Sequence, residues 1–244
     1  MDLSLTTEEA AFRDECRTWL RDNLPWDYGT GLPPMFDDLA GEVAFLRDWQ
    51  CRLAGAGLVG VTWPVEFGGR GADPMHHYLV QEELARARAP ELVGRIGVNL
   101  VGPTLLVHGT SGQRQRWLPG ILPADHLCCQ LFSEPGAGSD LAAVATRAVS
   151  TDDGWLLTGQ KVWTSYAQFA DWGLCLARTD PDSVGNRGLS MFMVDMHVPG
   201  VEVRPLRQIT DESDFNEVFL DEVPVGADQL VGDLHDGWRV SAST

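Results

Sequence analysis

The 244-residue chain sets 35 acidic side chains against 18 basic ones, a formal net charge of -17, and 44% of its residues are hydrophobic. That composition supports a buried core in one or two domains, while the negative field repels phosphate backbones and anionic membrane surfaces, so nucleic acid is not an expected partner. No run of about 18 uninterrupted apolar residues occurs, and the opening MDLSLTTEEA lacks the basic and apolar stretches of a secretory signal, so a cytoplasmic protein without a membrane span is expected.

The first elements are helical. Thr6-Thr7-Glu8-Glu9 has capping-box spacing, and Phe12, Cys16, Trp19 and Leu20 follow on one helical face as far as Asn23-Leu24-Pro25. A second helix is predicted over Phe36 to Ala56, with Leu39, Val43, Leu46, Trp49 and Leu53 on one side and Gly57 as the stop. Asp73-Pro74 opens a third that runs to about Arg88, and a fourth fits Leu92 to His108 with a kink or break at Pro103.

From about Leu127 the pattern turns to short runs rich in Val, Trp, Thr and Phe between turn clusters. The predicted strands are Cys128 to Ser133, Arg147 to Ser150, Trp155 to Thr158, Lys161 to Thr164, Trp172 to Arg178, Ser190 to Asp195, Val201 to Pro205 and Glu217 to Leu220. Thr151-Asp152-Asp153-Gly154 reads as a hairpin turn. The fold class that follows is α+β multidomain, an all-α N-terminal domain followed by a sheet domain. Gly237 to Thr244 reads as the opening of a further helix too short to stand alone. The five cysteines, Cys128 and Cys129 adjacent, have neither zinc nor disulfide spacing and read as reduced packing residues. The six histidines are scattered, so no metal site is expected.

Two segments carry chemistry. In Phe132-Ser133-Glu134-Pro135-Gly136-Ala137-Gly138-Ser139-Asp140 a strand runs into a turn where glycines permit close approach of a ligand and two serines offer hydroxyls. An ordinary surface turn has the same composition. Leu141 stands where the third glycine of a dinucleotide fingerprint belongs, which excludes that reading. In Thr158-Gly159-Gln160-Lys161-Val162-Trp163-Thr164-Ser165, strand alternation places Trp163 and Ser165 on one face. An indole beside a hydroxyl suits a flat, partly polar ring such as a flavin, and core packing explains Trp163 equally well. Gly154 to Lys161 misses the phosphate-loop order because Gln160 interrupts it. No hydrolase elbow and no His-Glu-x-x-His pair is present.

Taken in order, LAGAGLVGVTWPVEFGGRGAD, EELARARAP, LLVHGTSGQRQRWLPGIL, CQLFSEPGAGSDLAAVATRA, LTGQKVWTSYAQFADWGLCLART and FNEVFLDEVPVGADQLVGDLHDGW resemble the acyl-CoA dehydrogenase family over residues 3 to 244. The resemblance implies an N-terminal α-helical domain at 1–125, a β-barrel-like middle domain at 126–235, and at 236–244 the beginning of a C-terminal four-helix bundle. It implies FAD as cofactor, an acyl-CoA substrate, an electron-transfer flavoprotein or similar acceptor, and assembly as a homo- or hetero-oligomer with acyl-CoA dehydrogenase subunits.

Carried over by motif, Gln130, Phe132 and Ser133 would meet the flavin ring. Gly138 and Ser139 would approach the cofactor's phosphates, Ser139 also lying near the substrate's pantetheine arm. Trp163 would pack on the flavin, and Ser165 would hydrogen-bond close to its N5. Gln130 departs from the frequent aromatic residue, and Ser133 and Ser165 stand where threonine is common. Gly97 to Pro103 would line the acyl chain or serve as plain core. The implied reaction is α,β-dehydrogenation, with hydride passing from the β-carbon to flavin N5. The family's glutamate base lies in the C-terminal bundle, so no catalytic residue is expected within 1–244 and the chain alone is not expected to turn over. An oxidase or flavin monooxygenase of the same fold, and a non-catalytic subunit or remnant paired with a full-length homologue, are the alternative expectations.

Overall fold

The computed structural model describes residues 4–244, so the first three letters of the N-terminal MDL, part of the signal-free reading, lie outside the described residues. Helices lead and a sheet follows, as expected of the α+β class, and the chain divides into two compact units.

The first unit runs to Gly94 and includes Leu122–Asp125. Its helices are α1 (Thr7–Asn23), α2 (Leu39–Gly55) and α3 (Pro74–Ala87). The Thr6/Glu9 capping box forms as predicted, with both reciprocal bonds made. Helix α2 begins three residues later than Phe36, because the Asp38 carboxylate caps it by accepting from the Gly41 N–H. Asp73 caps α3 and Pro74 occupies its first turn. Glu83 on α3 is buried, and Arg17 of α1 grips it through two hydrogen bonds of 2.9 and 2.7 Å while the Tyr28 hydroxyl donates a third. Burial pushes the Glu83 carboxyl up, but the Arg17 and Tyr28 hydrogen bonds outweigh it and hold the group below its ordinary value.

The second unit takes Arg95–Ile121 and His126–Thr244. Its helical lead-in contains a π-turn, Gly97–Val101, running into α4 (Gly102–His108). The Gly102 N–H reaches back to the Gly97 carbonyl, and Pro103 has no N–H to continue the α ladder, so the proline widens the helix instead of breaking it. Helix α5 (Ser111–Ile121) was not apparent from the periodicity, since Thr110-Ser111-Gly112 resembles a turn and Pro119 lies inside the helix.

Eight strands follow: β1 (Cys128–Leu131), β2 (Arg147–Thr151), β3 (Gly154–Ser165), β4 (Trp172–Arg178), β5 (Leu189–Asp195), β6 (Val201–Leu206), β7 (Phe215–Gly226) and β8 (Leu230–Val231). They make one sheet in the order β6-β7-β3-β2-β4-β5-β8, with β1 parallel to β4. No pairing joins β6 to β8 in this order, so the sheet is open, and barrel-like describes it only loosely. The two predicted strands around Gly159-Gln160 are one strand, β3, whose pairing with β7 shifts register between Leu157 and Gly159 and again between Lys161 and Thr164. Leu131, Leu157, Phe192, Val194, Val218 and Val223 form the core against it. The short α6 (Gly237–Ser241) ends the second unit. Cys16, Cys128, Cys129 and Cys175 are buried free thiols, and burial pushes Cys128 up to about 12, which keeps it protonated packing material. Cys51 is exposed, so that reading does not extend to it. Among the described residues no helix is long and apolar enough to cross a membrane, and no cluster of potential metal ligands occurs.

Candidate functional site

The site is built where β1 ends against β3. Strand β1 runs parallel to the first half of β4, pairing Gln130 with Leu174 and Leu131 with Cys175. Beyond Leu131 the Ser133 carbonyl accepts from the Val162 N–H at 2.9 Å, which brings the β1 exit alongside the segment carrying Trp163. Glu134 and Ala137 then exchange two backbone hydrogen bonds, folding Glu134-Pro135-Gly136-Ala137 into a tight turn with Gly138, Ser139 and Asp140 exposed beyond it. Neither a positive φ nor crowding demands glycine at 136 or 138, where an added Cβ would meet nothing within 4 Å. Gly159 is different: a Cβ there would stand 2.8 Å from the Thr146 backbone.

The alternation expected of Lys161 to Ser165 is broken. Lys161 pairs with Val218 and Thr164 with Asn216, so three steps on β3 oppose two on β7, and both Lys161 and Thr164 point inward. The bulge lifts Trp163 to a φ of 59° and leaves the residue 63% exposed, its ring nearly perpendicular to that of Phe215 with centroids 6.1 Å apart. Trp163 is therefore no core residue. A non-glycine residue held in the left-handed region is strained by about 1–2 kcal/mol and persists where the surroundings over-determine it. Ser165, half-buried, follows on the bulged strand opposite Phe215.

Of the residues singled out in the sequence, Ser133, Trp163 and Ser165 come together through the β1–β3 junction, with Gln130 three residues upstream on β1. Phe132 has a buried side chain. Gly138 and Ser139 sit on the turn, tied to the Trp163 segment by no hydrogen bond among the described residues. The side chains of Gln130, Ser133, Ser139 and Ser165 make no hydrogen bond to any described residue, and of these Ser133 and Ser165 adjoin the segment that carries the exposed indole. Two residues past Asp140 begins a largely apolar groove of about 690 Å³ lined by Ala142, Val144, Ala148, Val149 and Val184, with Arg147 exposed beside them. Arg178 frames it, donating to the carbonyls of Val144, Ala142, Gly185 and Arg187 and to the Ser183 hydroxyl.

Beneath this surface lies a pair that the sequence reading did not single out. The Lys161 ammonium is fully buried and donates to the Phe132 carbonyl at 3.1 Å, the Leu176 carbonyl at 2.8 Å and the Glu134 carboxylate at 2.8 Å. Glu134 also accepts from the N–H groups of Ala145 and Thr146. Burial pushes the Glu134 carboxyl up, but the Lys161 charge and these hydrogen bonds prevail and hold it below its ordinary value. Strand parity carried the signal: Lys161 shares the inward face with Leu157, and an inward charge requires a buried partner.

Family profiles match both parts of the chain: "Acyl-CoA dehydrogenase, N-terminal domain" over residues 6–125 and "Acyl-CoA dehydrogenase, middle domain" over residues 129–223. Among curated proteins, acyl-CoA dehydrogenase FadE34 of Mycobacterium tuberculosis is 51% identical over 218 residues, which cover 88% of this chain and 30% of FadE34. Acyl-CoA dehydrogenase IpdE1 of the same organism is 46% identical over 237 residues, 96% of this chain and 61% of IpdE1. The chain thus spans between about a third and two thirds of the length of these relatives. Among solved structures, the Tcur3481-Tcur3483 steroid ACAD superposes with a TM-score of 0.81 at 30% identity, covering 98% of this chain and 61% of that one. The ChsE4-ChsE5 complex from Mycobacterium tuberculosis gives a TM-score of 0.81 at 29% identity, covering 99% of this chain and 60% of that one. With both profiles matched in order and the helical region followed by the sheet, the chain belongs to the acyl-CoA dehydrogenase family, whose members are FAD-dependent oxidoreductases of lipid metabolism.

Proposed function

We propose that this chain supplies one side of an FAD site for the α,β-dehydrogenation of acyl-CoA thioesters, with residues 1–125 as its N-terminal domain, 126–235 as its middle domain and 236–244 as the start of a further helical one. The observation that carries the reading is the exposed, strained Trp163, with Ser133 tied to its segment through the Val162 N–H and Ser165 two residues on, both hydroxyls without a hydrogen bond to a described residue. That combination fits a ligand with a flat face and a polar rim. When bound, a flavin supplies at N5 the acceptor for the hydride that leaves the β-carbon, while a base takes the α-proton.

The roles of the chain's own residues follow from their places. Trp163 offers an indole face for the isoalloxazine, and Ser165 and Ser133 offer hydroxyls at its polar edge. Gln130 lies on β1 and the Phe132 main chain just beyond its end. Gly136 and Gly138, which nothing in the protein requires to be glycine, leave room for phosphates to approach the main chain. The thioester's pantetheine arm would lie near Ser139. No residue of 4–244 is assigned as the base.

Two-component assembly is supported by the two solved relatives, each of which pairs two differently named chains. The proposed oligomer is therefore one of this chain with acyl-CoA dehydrogenase subunits, passing electrons to an electron-transfer flavoprotein or similar acceptor. Titration of FAD into the purified chain, alone and with candidate subunits, followed by anaerobic addition of acyl-CoA, tests the reading. Saturable flavin uptake that Trp163→Ala weakens, with bleaching by acyl-CoA in the assembled protein, is expected. Flavin uptake unaffected by Trp163→Ala refutes the site, and oxygen consumption by the reduced flavin would replace the dehydrogenase with an oxidase.

A further inference from the structure

Strand β4 changes neighbours halfway along one edge. Its other edge is taken by β5 from Trp172 to Arg178. On the near edge, Trp172 to Cys175 pair with β1, and Arg178 alone pairs with β2 through Arg147. Leu176 and Ala177 fall in the gap, where no strand supplies donors, and a buried carbonyl without a donor is costly. The Lys161 ammonium fills that role at Leu176. Its second proton goes to the Phe132 carbonyl just beyond the end of β1, and its third to Glu134 in the following turn. All three donors of the ammonium are thereby used. Glu134 in turn holds the Ala145 and Thr146 N–H groups at the approach to β2.

A buried ion pair is weak evidence for stability, since well-packed apolar residues often replace one without loss. Apolar residues cannot supply three directed donors. Two residues after Lys161 stands Trp163, and one residue after Phe132 stands Ser133, whose carbonyl takes the Val162 N–H. We propose that the Lys161–Glu134 pair is a positioning device, which closes the gap between β1 and β2 and so fixes the Phe132–Ser133 main chain against the Trp163 bulge. Its consequence for the cofactor rests on the flavin reading above; its consequence for the pose of Trp163 does not.

The test uses the full chain labelled with 5-fluorotryptophan, whose nine indoles give nine fluorine resonances, that of Trp163 assigned by its loss in Trp163→Phe. The double variant Lys161→Met/Glu134→Gln removes both charges, so no buried charge is left unpaired. Relative to Lys161→Met alone, its urea midpoint recovers. The Trp163 resonance is expected to move while those of indoles remote from the pair, such as Trp19 and Trp49, stay in place, and FAD affinity is expected to fall about tenfold. Glu134→Gln alone, which leaves the ammonium its two carbonyls, shifts the same resonance less and provides the reading if the double variant does not fold. A Trp163 resonance at its wild-type position in a folded variant overturns the proposal, and a moved resonance with undiminished FAD affinity overturns its consequence for the cofactor. If the resonance moves and the wild-type chain takes up no FAD, the positioning stands and the flavin reading falls.

Discussion

Two buried carboxylates, one in each unit, are neutralised in different ways. Glu83 meets a guanidinium that arrives from the side: Arg17 retains 28% exposure, Tyr28 donates a hydrogen bond, and Arg86 stands 3.8 Å away. Glu134 meets an ammonium with no exposure at all, whose remaining protons go to main-chain carbonyls of two different segments. The first arrangement joins two helices and keeps one partner in reach of water. The second has no access to water and orders backbone around the exposed indole. The contrast shows that burial of a carboxylate says little by itself; the route by which its counter-charge reaches it decides what the pair governs.

Breaking each pair on the cationic side separates them most strongly. Lys161→Met leaves Glu134 buried with no counter-charge and is expected to cost about 3–5 kcal/mol in urea unfolding. Arg17→Met leaves Glu83 with the Tyr28 hydroxyl and the Arg86 guanidinium, so a counter-charge remains, and is expected to cost less, about 1–3 kcal/mol. Equal losses would erase the distinction.

Acid sharpens it further. Both carboxyls sit below their usual 4.5 in the folded chain, so the stability they lend is complete above that value and drains away as pH falls through the folded value. The wild-type urea midpoint should therefore drop as pH is lowered from about 5 toward 3. In Lys161→Met the Glu134 share of that slope should vanish or reverse, because burial then acts on Glu134 without the ammonium's charge. An unchanged slope would mean that Lys161 does not set the state of Glu134.

Smaller effects are expected at the surface of the site. Trp163→Gly should raise stability by about 1 kcal/mol by removing a side chain from the left-handed region, while lowering FAD affinity. A loss of stability would show that the indole is held by packing. Ser139→Ala, on the exposed turn, should change stability by less than about 0.5 kcal/mol, with any larger effect confined to ligand binding.

Much of this was legible in the residues. The Thr6/Glu9 box, Asp73-Pro74 and the Asp152-Asp153 hairpin turn carry their own local chemistry, and each forms as read. Periodicity failed where the chain departs from a regular repeat. The bulge at Trp163 interrupts a period of two, and the turn-like residues around Ser111 with Pro119 masked α5. The Arg17–Glu83 contact spans 66 residues and the Lys161–Glu134 contact 27, distances over which no local rule operates. Within the site, the motif segments were visible because glycine, serine and tryptophan cluster there. The pair that orders them was not, because a lysine in a strand reads as solvent-facing until the parity of its neighbours is followed.

The π-turn at Gly97–Val101 amounts to one residue stored inside a helix. Each residue of an α-helix turns its successor by about 100°, so the extra residue sets the phase of all that follows. Thr104 and Leu105 are buried and Val107 exposed in that phase, and His108 meets the Ser243 hydroxyl at 2.6 Å. Excising the exposed Asn99 would restore an even helical repeat and rotate α4 by about one residue's turn, carrying Leu105 off its buried bearing. In this stretch length is a form of information: a family member one residue shorter here would present another face of α4 even with every other letter the same.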